Sequence, residues 1–430
     1  MKLKSIASLL IIAFVAAGAI AQEKLTLQEA VDQALEKNHD VRVARNERQA
    51  VHNSVNLGSA GLVPSLDFVA TLSYRDDKEP ESAGGEVSKR TQNDASLKAS
   101  YTLFDGFSNI NTFRSLRKSG RLGDLQARFS IENTILGVCR AFYEVANSQD
   151  QLMIAREALS ISQDRYERAQ YQAEYGQANA IDVLSAEVDL NNDSTSLLDA
   201  RLALDEARRN LSLLLDRESS SDLAVDTSVA YMPSADVDRF KSDAFDGNAA
   251  YLISLTGLDQ ARLQRSIARA SWFPRLDLQM TYGYNRSVGG FTLDYDDPTR
   301  TFTTYLSLNF NIFNGFQTKA ANQNATLAVR NSELYLDQAR LDLDRQIVNA
   351  HDSYTNSLSV LALQERNLRS AELNFQRTEE LFRLGQATTT TFREAQLNLI
   401  RAKSNIAAAK YRAKINELEL LRLTGRLLES

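Results

Sequence analysis

The residues able to do covalent or metal chemistry are few and scattered. Three histidines, His39, His52 and His351, form no His-Glu-x-x-His or comparable ligand set. The four methionines cluster neither with each other nor with histidine, which argues against a dedicated soft-metal site. There is no glycine-rich phosphate loop and no Gly-x-Ser-x-Gly elbow. The single cysteine, Cys139, excludes a disulfide framework and lies in a helical pattern as a small hydrophobe. No catalytic residue, metal site or cofactor is expected, and the scattered Asp–Arg pairs read as solvated helix faces. What stands out is two similar turns, Tyr175-Gly176-Gln177-Ala178 and Leu384-Gly385-Gln386-Ala387. A glycine after a helix can take the left-handed conformation that ends it. Just beyond, Asn179 and Asp182, and Thr391 and Glu394, have capping-box spacing.

The elements that hold these turns come from a doubled chain. A shift of about 209 residues recurs through the sequence. Asn38 through Pro64 matches Asn248 through Pro274, and Leu103-Phe104-Asp105-Gly106-Phe107 matches Ile312-Phe313-Asn314-Gly315-Phe316. Each half reads helix, strand, loop, strand, very long helix, tight turn, helix. The expected organisation is a first repeat over 22–216, a joint over 217–247 and a second repeat over 248–430.

All five prolines avoid the helical stretches, and proline inside a helix costs about 3 kcal/mol. The proline-free runs Asp105–Tyr175 and Asn314–Leu384 are each about 70 residues, long enough to span roughly 105 Å as helix. Ile131, Ile135, Val138, Phe142 and Val145 step by fours and threes, as a coiled-coil seam does. The matching positions Arg340, Asp344, Ile347, His351 and Tyr354 suit the seam only from Ile347 onward, and Leu358 and Leu361 continue it. On that seam His351 reads as a packed histidine.

The N-terminus carries Lys2, Lys4 and an apolar run from Ile6 to Ile20, the layout of a signal peptide over residues 1–21 cut after Ala21. No cysteine follows that cut, so no lipid anchor is expected there. Loss of the two lysines takes the formal net charge from −6 to −8, which argues against a nucleic-acid partner. No later segment is apolar enough for a transmembrane helix, so membrane insertion would have to use strands.

Four segments supply them. Leu66 to Tyr74, Ala95 to Leu103, Leu276 to Tyr284 and Phe302 to Ile312 place apolar side chains at alternate positions over about ten residues each. Their other faces carry Lys98, Arg275 and Asp277, as a wet lumen would. Tyr74, Tyr101, Phe104, Phe107, Phe313 and Phe316 gather near strand ends, as an interfacial girdle would. Four strands cannot close a barrel, and an open edge cannot face lipid. The chain must assemble with copies of itself, giving 8 strands from two copies or 12 from three.

Over nearly all of the chain after Ala21, the sequence resembles the TolC family of outer-membrane efflux proteins. The resemblance rests on the doubled organisation, Leu25-Thr26-Leu27-Gln28-Glu29-Ala30, Pro64 and Pro274, the Phe-Asp-Gly-Phe and Phe-Asn-Gly-Phe strand ends, and Gly176 followed by Asp182-Val183-Leu184. It implies a mostly helical mixed α and β fold: a homotrimer whose 12-stranded outer-membrane β-barrel, four strands per chain, continues into a periplasmic α-helical barrel. The loops Arg75–Asn93 and Asn285–Arg300 would face outside. Gly176, Gln177, Gly385 and Gln386 would form the periplasmic tip that docks on an adaptor (membrane fusion) protein, itself joined to an inner-membrane transporter. The resemblance also implies an acidic constriction, with Asp182 and Glu394 at two of its positions and Thr391 where an acid is common. The implied activity is export of drugs, other solutes or proteins. The alternative is a structural or adhesive outer-membrane trimer without transport.

Overall fold

A computed structural model describes residues 24–78, 87–175, 179–218, 223–233, 237–289 and 299–428. The expected signal peptide lies outside the described residues. In order, the elements are α1 (Leu27–Lys37), α2 (His39–Asn53), β1 (Ser65–Lys78), β2 (Val87–Phe104), α3 (Ser108–Glu174), α4 (Ala180–Leu214), α5 (Val237–Gly247), α6 (Ala249–Ala270), β3 (Arg275–Gly289), β4 (Thr299–Asn309), α7 (Gln317–Arg383) and α8 (Thr389–Leu423). The joint contains α5, which holds in the second half the place that α1 holds in the first; each has 11 residues.

The chain forms two compact units, each built from both halves. One comprises Met1–Ala34, Val138–Val229 and Gln364–Tyr411; the other comprises Leu35–Gly137, Ala230–Leu363 and Arg412–Ser430.

The second unit holds the sheet. Four antiparallel strands run in the order β1-β2-β3-β4. Register aligns the apolar residues across the sheet: Phe68 faces Leu97, Leu97 faces Tyr282, and Tyr282 faces Phe302. The adjacent residue of each strand forms a polar row on the other face, Asp67–Lys98–Thr281–Thr303. Leu66, Phe68 and Leu72 are each at least 70% exposed, so within one chain the apolar face has no cover.

The strands correct the sequence reading in three ways. They are longer than ten residues, with 14, 18, 15 and 11 residues from β1 to β4. Backbone pairing continues after the apolar contrast fades, so residues 75–78, 87–93, 285–289 and 299–300 of the expected loops are strand, and 79–86 and 290–298 lie outside the described residues. In β2, a bulge between Thr102 and Phe104 skips Leu103 and pairs Phe104 with Leu276, putting Phe104 in the apolar row. Phe310 and Ile312 lie beyond the end of β4.

Each hairpin passes into a 67-residue helix by the same device. Gly106 and Phe107 have φ of 67° and 69°, and Gly315 and Phe316 have 65° each. These left-handed pairs reverse the chain and stack Phe104 on Phe107 and Phe313 on Phe316 edge to face, at 5.6 and 5.3 Å. Asp105 then accepts from the Asn109 backbone N–H at 2.8 Å, and Asn314 from that of Thr318 at 3.4 Å.

The first-half seam is buried from its second position onward: Ile135, Val138, Phe142 and Val145 are at most 1% exposed, while Ile131 is only half-buried. In the second half the seam starts at Leu343 rather than Arg340 and continues through Ile347 and Tyr354. These join Phe240 and Leu420 in the core of the second unit. There the Tyr354 hydroxyl donates to the Met232 carbonyl at 2.5 Å and lies 3.2 Å from Glu417, and burial with that neighbouring carboxylate pushes its pKa above the ordinary phenol value. His351 packs its ring 6.2 Å from Phe240.

Candidate channel tip and the buried network behind it

The turns lie in the first unit. At the end of α7, Gly385 takes φ +72°. Its N–H donates to Phe382 O at 3.1 Å, and the Gln386 N–H donates to Leu381 O at 2.8 Å. That pair of bonds is a Schellman closure, which explains the glycine. Gly385 and Gln386 are exposed, as a docking tip requires. Gly176 and Gln177 lie outside the described residues.

Asn179 caps α4 by accepting from the Asp182 N–H at 3.0 Å, as its spacing predicts. The second expectation is corrected: Thr388, not Thr391, caps α8, accepting from the Thr391 N–H at 3.2 Å. Thr391 sits inside the helix because the Schellman turn returns the chain to helical geometry sooner than the spacing suggests.

Asp182, in the first turn of α4, is half-buried and accepts from the Thr389 hydroxyl at 3.4 Å. Glu394 stands a turn and a half into α8 and is exposed. Among the described residues, no hydrogen bond joins the two carboxylates to each other or to a common partner.

Sequence reasoning missed a larger polar assembly behind the turn. Arg393 forks onto Asp193, donating at 2.6 and 2.9 Å, and its Nε lies 3.4 Å from Asp189. Asp189 also accepts from Arg165 at 2.7 Å. Ser162 hydrogen-bonds to Asp193, and Gln396 donates to the Ala158 carbonyl at 3.2 Å. Asp193, Arg165 and Gln396 are 6%, 5% and 0% exposed, so these are not the solvated pairs expected. Burial opposes the Arg393 charge, but Asp193 and Asp189 outweigh it and hold its pKa above the usual guanidinium value. The network ties α3, α4 and α8 together. Phe392, beside Arg393, stacks on Phe382 at 4.7 Å and packs on Phe375. The available signal was the placement of Gln396 at helical spacing among Phe392, Ala395 and Leu399, an apolar face.

An exposed-apolar four-stranded sheet continued by two 67-residue helices defines an outer-membrane channel subunit. The model of the family described as "Outer membrane efflux protein" matches residues 30–217 and 254–426, and the chain belongs to that family. Among curated relatives, it is 23% identical to "Alkaline protease secretion protein AprF" of Pseudomonas aeruginosa, over 88% of this chain and 80% of that protein. It is 22% identical to "Outer membrane protein TolC" of Vibrio cholerae, over 94% and 91%. The crystal structure of the Campylobacter jejuni CmeC outer membrane channel shares the fold at a TM-score of 0.80 and 17% identity, covering 93% of this chain and 86% of that one. The protein is an outer-membrane channel component that extends into the periplasm. Its family is one of channel proteins rather than enzymes, which favours transport over the adhesive alternative.

Proposed function

We propose that three copies close a 12-stranded barrel and form a duct that carries solutes or proteins from the periplasm to the exterior. An adaptor docks at the Gly385–Gln386 turn and its counterpart at Gly176–Gln177, and an inner-membrane transporter supplies the energy; the chain contributes no chemistry of its own. The observation that carries this reading is the sheet: β1 and β4 are both unpaired edges, and its apolar face is bare. Such a sheet is stable in lipid only when its edges meet those of copies.

The internal repeat specifies how they meet. Within the chain, Leu97 of β2 pairs with Tyr282 of β3. The repeat carries Leu97 onto Leu306 of β4 and Tyr282 onto Leu72 of β1, so Leu306 pairs with Leu72 of a neighbouring copy. In a Cys139→Ala background, Leu72→Cys with Leu306→Cys is expected to yield disulfide-linked oligomers, while Leu72→Cys with Phe302→Cys stays unlinked. Native mass in mild detergent, corrected for bound detergent, is expected at three copies. A stable monomer, or equal linking of both cysteine pairs, overturns the closure.

Asp182 and Glu394, brought round an axis by three copies, would make an acidic constriction that attracts cations. Support comes from their position directly behind the tip turns. Asp182→Asn with Glu394→Gln is expected to shift the reversal potential in planar bilayers toward lower cation preference. An unchanged reversal potential removes these residues from the constriction.

A further inference from the structure

Two clefts near the sheet carry cations on their walls, and nearly all of their charged residues are basic. The first, about 600 Å3, takes Arg114, Arg117, Lys118 and Arg121 from α3, with Asp259 and Arg262 from α6. The second, about 820 Å3, takes Arg269 and Trp272 from the end of α6 and its turn, with Lys319 and Arg330 from α7. Both lie along α6, the first between α6 and α3 and the second between the end of α6 and α7. Gln323, Thr326, Leu327 and Arg330, which line the second cleft, are the repeat positions of Arg114, Arg117, Lys118 and Arg121. Together they present eight cations and one carboxylate, in a chain with 49 basic and 55 acidic residues. That carboxylate, Asp259, is taken by Lys118 at 2.7 Å, and Arg262 reaches Glu333 at 3.4 Å. Among the described residues, Arg114, Arg117, Arg121, Arg269, Lys319 and Arg330 have no ion pair.

Their level and direction are set by the helices. α3 starts at Ser108 and α7 at Gln317, so at 1.5 Å per residue these cations lie within about 20 Å of the sheet's periplasmic end. Long side chains on a helix lean toward its N-terminus, which for α3 and α7 is the membrane end. Trp272 and Phe273, both more than half exposed, mark the interface just above. In the duct proposed above, the arginine face would point away from the lumen. Arg114, Arg121 and Arg128 recur every seven residues, and Arg128 donates to the Gly425 carbonyl at 2.6 Å, so the C-terminal segment packs on this face. In a duct, chain layered over the long helices lies outside the ring, because inside it would block the lumen.

We propose that these clefts bind the phosphate groups of anionic phospholipids in the periplasmic leaflet. Guanidinium groups match phosphate oxygens in two-pronged hydrogen bonds, and basic clefts between helices at a membrane surface suit such headgroups. The bound lipids form a ring under the barrel, two sites per chain, and fix its depth in the membrane. The inference rests on the outer-membrane orientation but not on what the channel exports.

Trp272 is the chain's only tryptophan and lines the second cleft, which gives a direct readout. The protein is reconstituted in phosphatidylcholine vesicles containing the same fraction of brominated phosphatidylglycerol or brominated phosphatidylcholine. The expected result is stronger quenching of Trp272 by the brominated anionic lipid. Arg269→Gln with Lys319→Gln and Arg330→Gln should equalise the two; at about 1 kcal/mol per cation near an anionic surface, three removed cations weaken relative affinity on the order of a hundredfold. Equal quenching in the unmodified protein overturns the proposal without any variant. So does a preference that survives the triple change, or one that free inorganic phosphate abolishes at low millimolar concentration. Conductance of the same vesicles reports separately on the duct: a protein that prefers anionic lipid but does not conduct defeats the transport reading and leaves the lipid site standing.

Discussion

Asp193→Ala is expected to lower the unfolding free energy by about 3–5 kcal/mol, the range for a buried ion pair that loses one partner. Arg393 would stay buried at 13% side-chain exposure, having lost both hydrogen bonds to Asp193. Ser162 would lose its acceptor as well. Asp193→Leu with Arg393→Met is expected to recover much of the loss, because a packed apolar pair often matches or exceeds a buried ionic one. Asp189 survives that double change with Arg165 still at 2.7 Å. Denaturant unfolding of Asp193→Leu, Arg393→Met and the double variant gives the coupling directly. A coupling near zero would return the pair to the solvated status that the sequence suggested. What the double variant is expected to lose is the fixed placement of α8 against α4, seen as faster amide exchange in the first turns of both helices.

The second large effect separates two glycines that look identical in sequence. A Cβ on Gly106 would meet the Ala270 carbonyl oxygen and the Phe273 Cβ at 2.8 Å each; on Gly315 it would meet nothing within 4 Å. Both have left-handed φ, which costs a residue with a side chain roughly 1–2 kcal/mol. Gly106→Ala adds overpacking against backbone, about 1–3 kcal/mol more, and should destabilise the protomer itself. The repeat carries Ala270 and Phe273 onto Ala60 and Val63, so Gly315 is expected to seat against those residues in a neighbouring copy. Gly315→Ala should therefore leave a folded protomer that assembles poorly. Unfolding of the monomeric form and the yield of heat-resistant oligomer tell the two defects apart. Equal assembly by both variants would remove Gly315 from the junction.

Much of this fold is legible in sequence because its periods are long and repeated. Proline placement marks the helix ends, alternation marks the strands, and the repeat tests each against its counterpart. Strand ends were harder to read, since hydrogen-bond ladders continue through polar residues such as Arg75 and Lys89 once side chains no longer need lipid. The bulge at Leu103 could not be read either: one extra residue leaves the composition unchanged while moving Phe104 to the apolar face. At the tip, the glycine conformation and the Asn179 cap follow from residue type. The α8 cap does not, because four consecutive threonines, Thr388 to Thr391, are equivalent as text and only the returning backbone selects the first. The buried Arg393 network was hidden because a charged residue carries no mark of burial, and its partners come from positions some 200 residues away.

The pairing of β2 with β3 joins the two halves of one chain across the joint, whereas β4 and β1 keep open edges. In a ring of three such chains, every second seam is thus closed by tethered segments. Tethering replaces a search through the membrane by an effective concentration set by the connecting chain, commonly in the millimolar range for short flexible links. A ring of six separate halves would need five productive encounters between molecules, and the doubled chain needs two. Carrying both halves on one chain would turn half of the seams of such a ring into folding, so the rate at which ducts appear would depend on protomer supply to a much lower power.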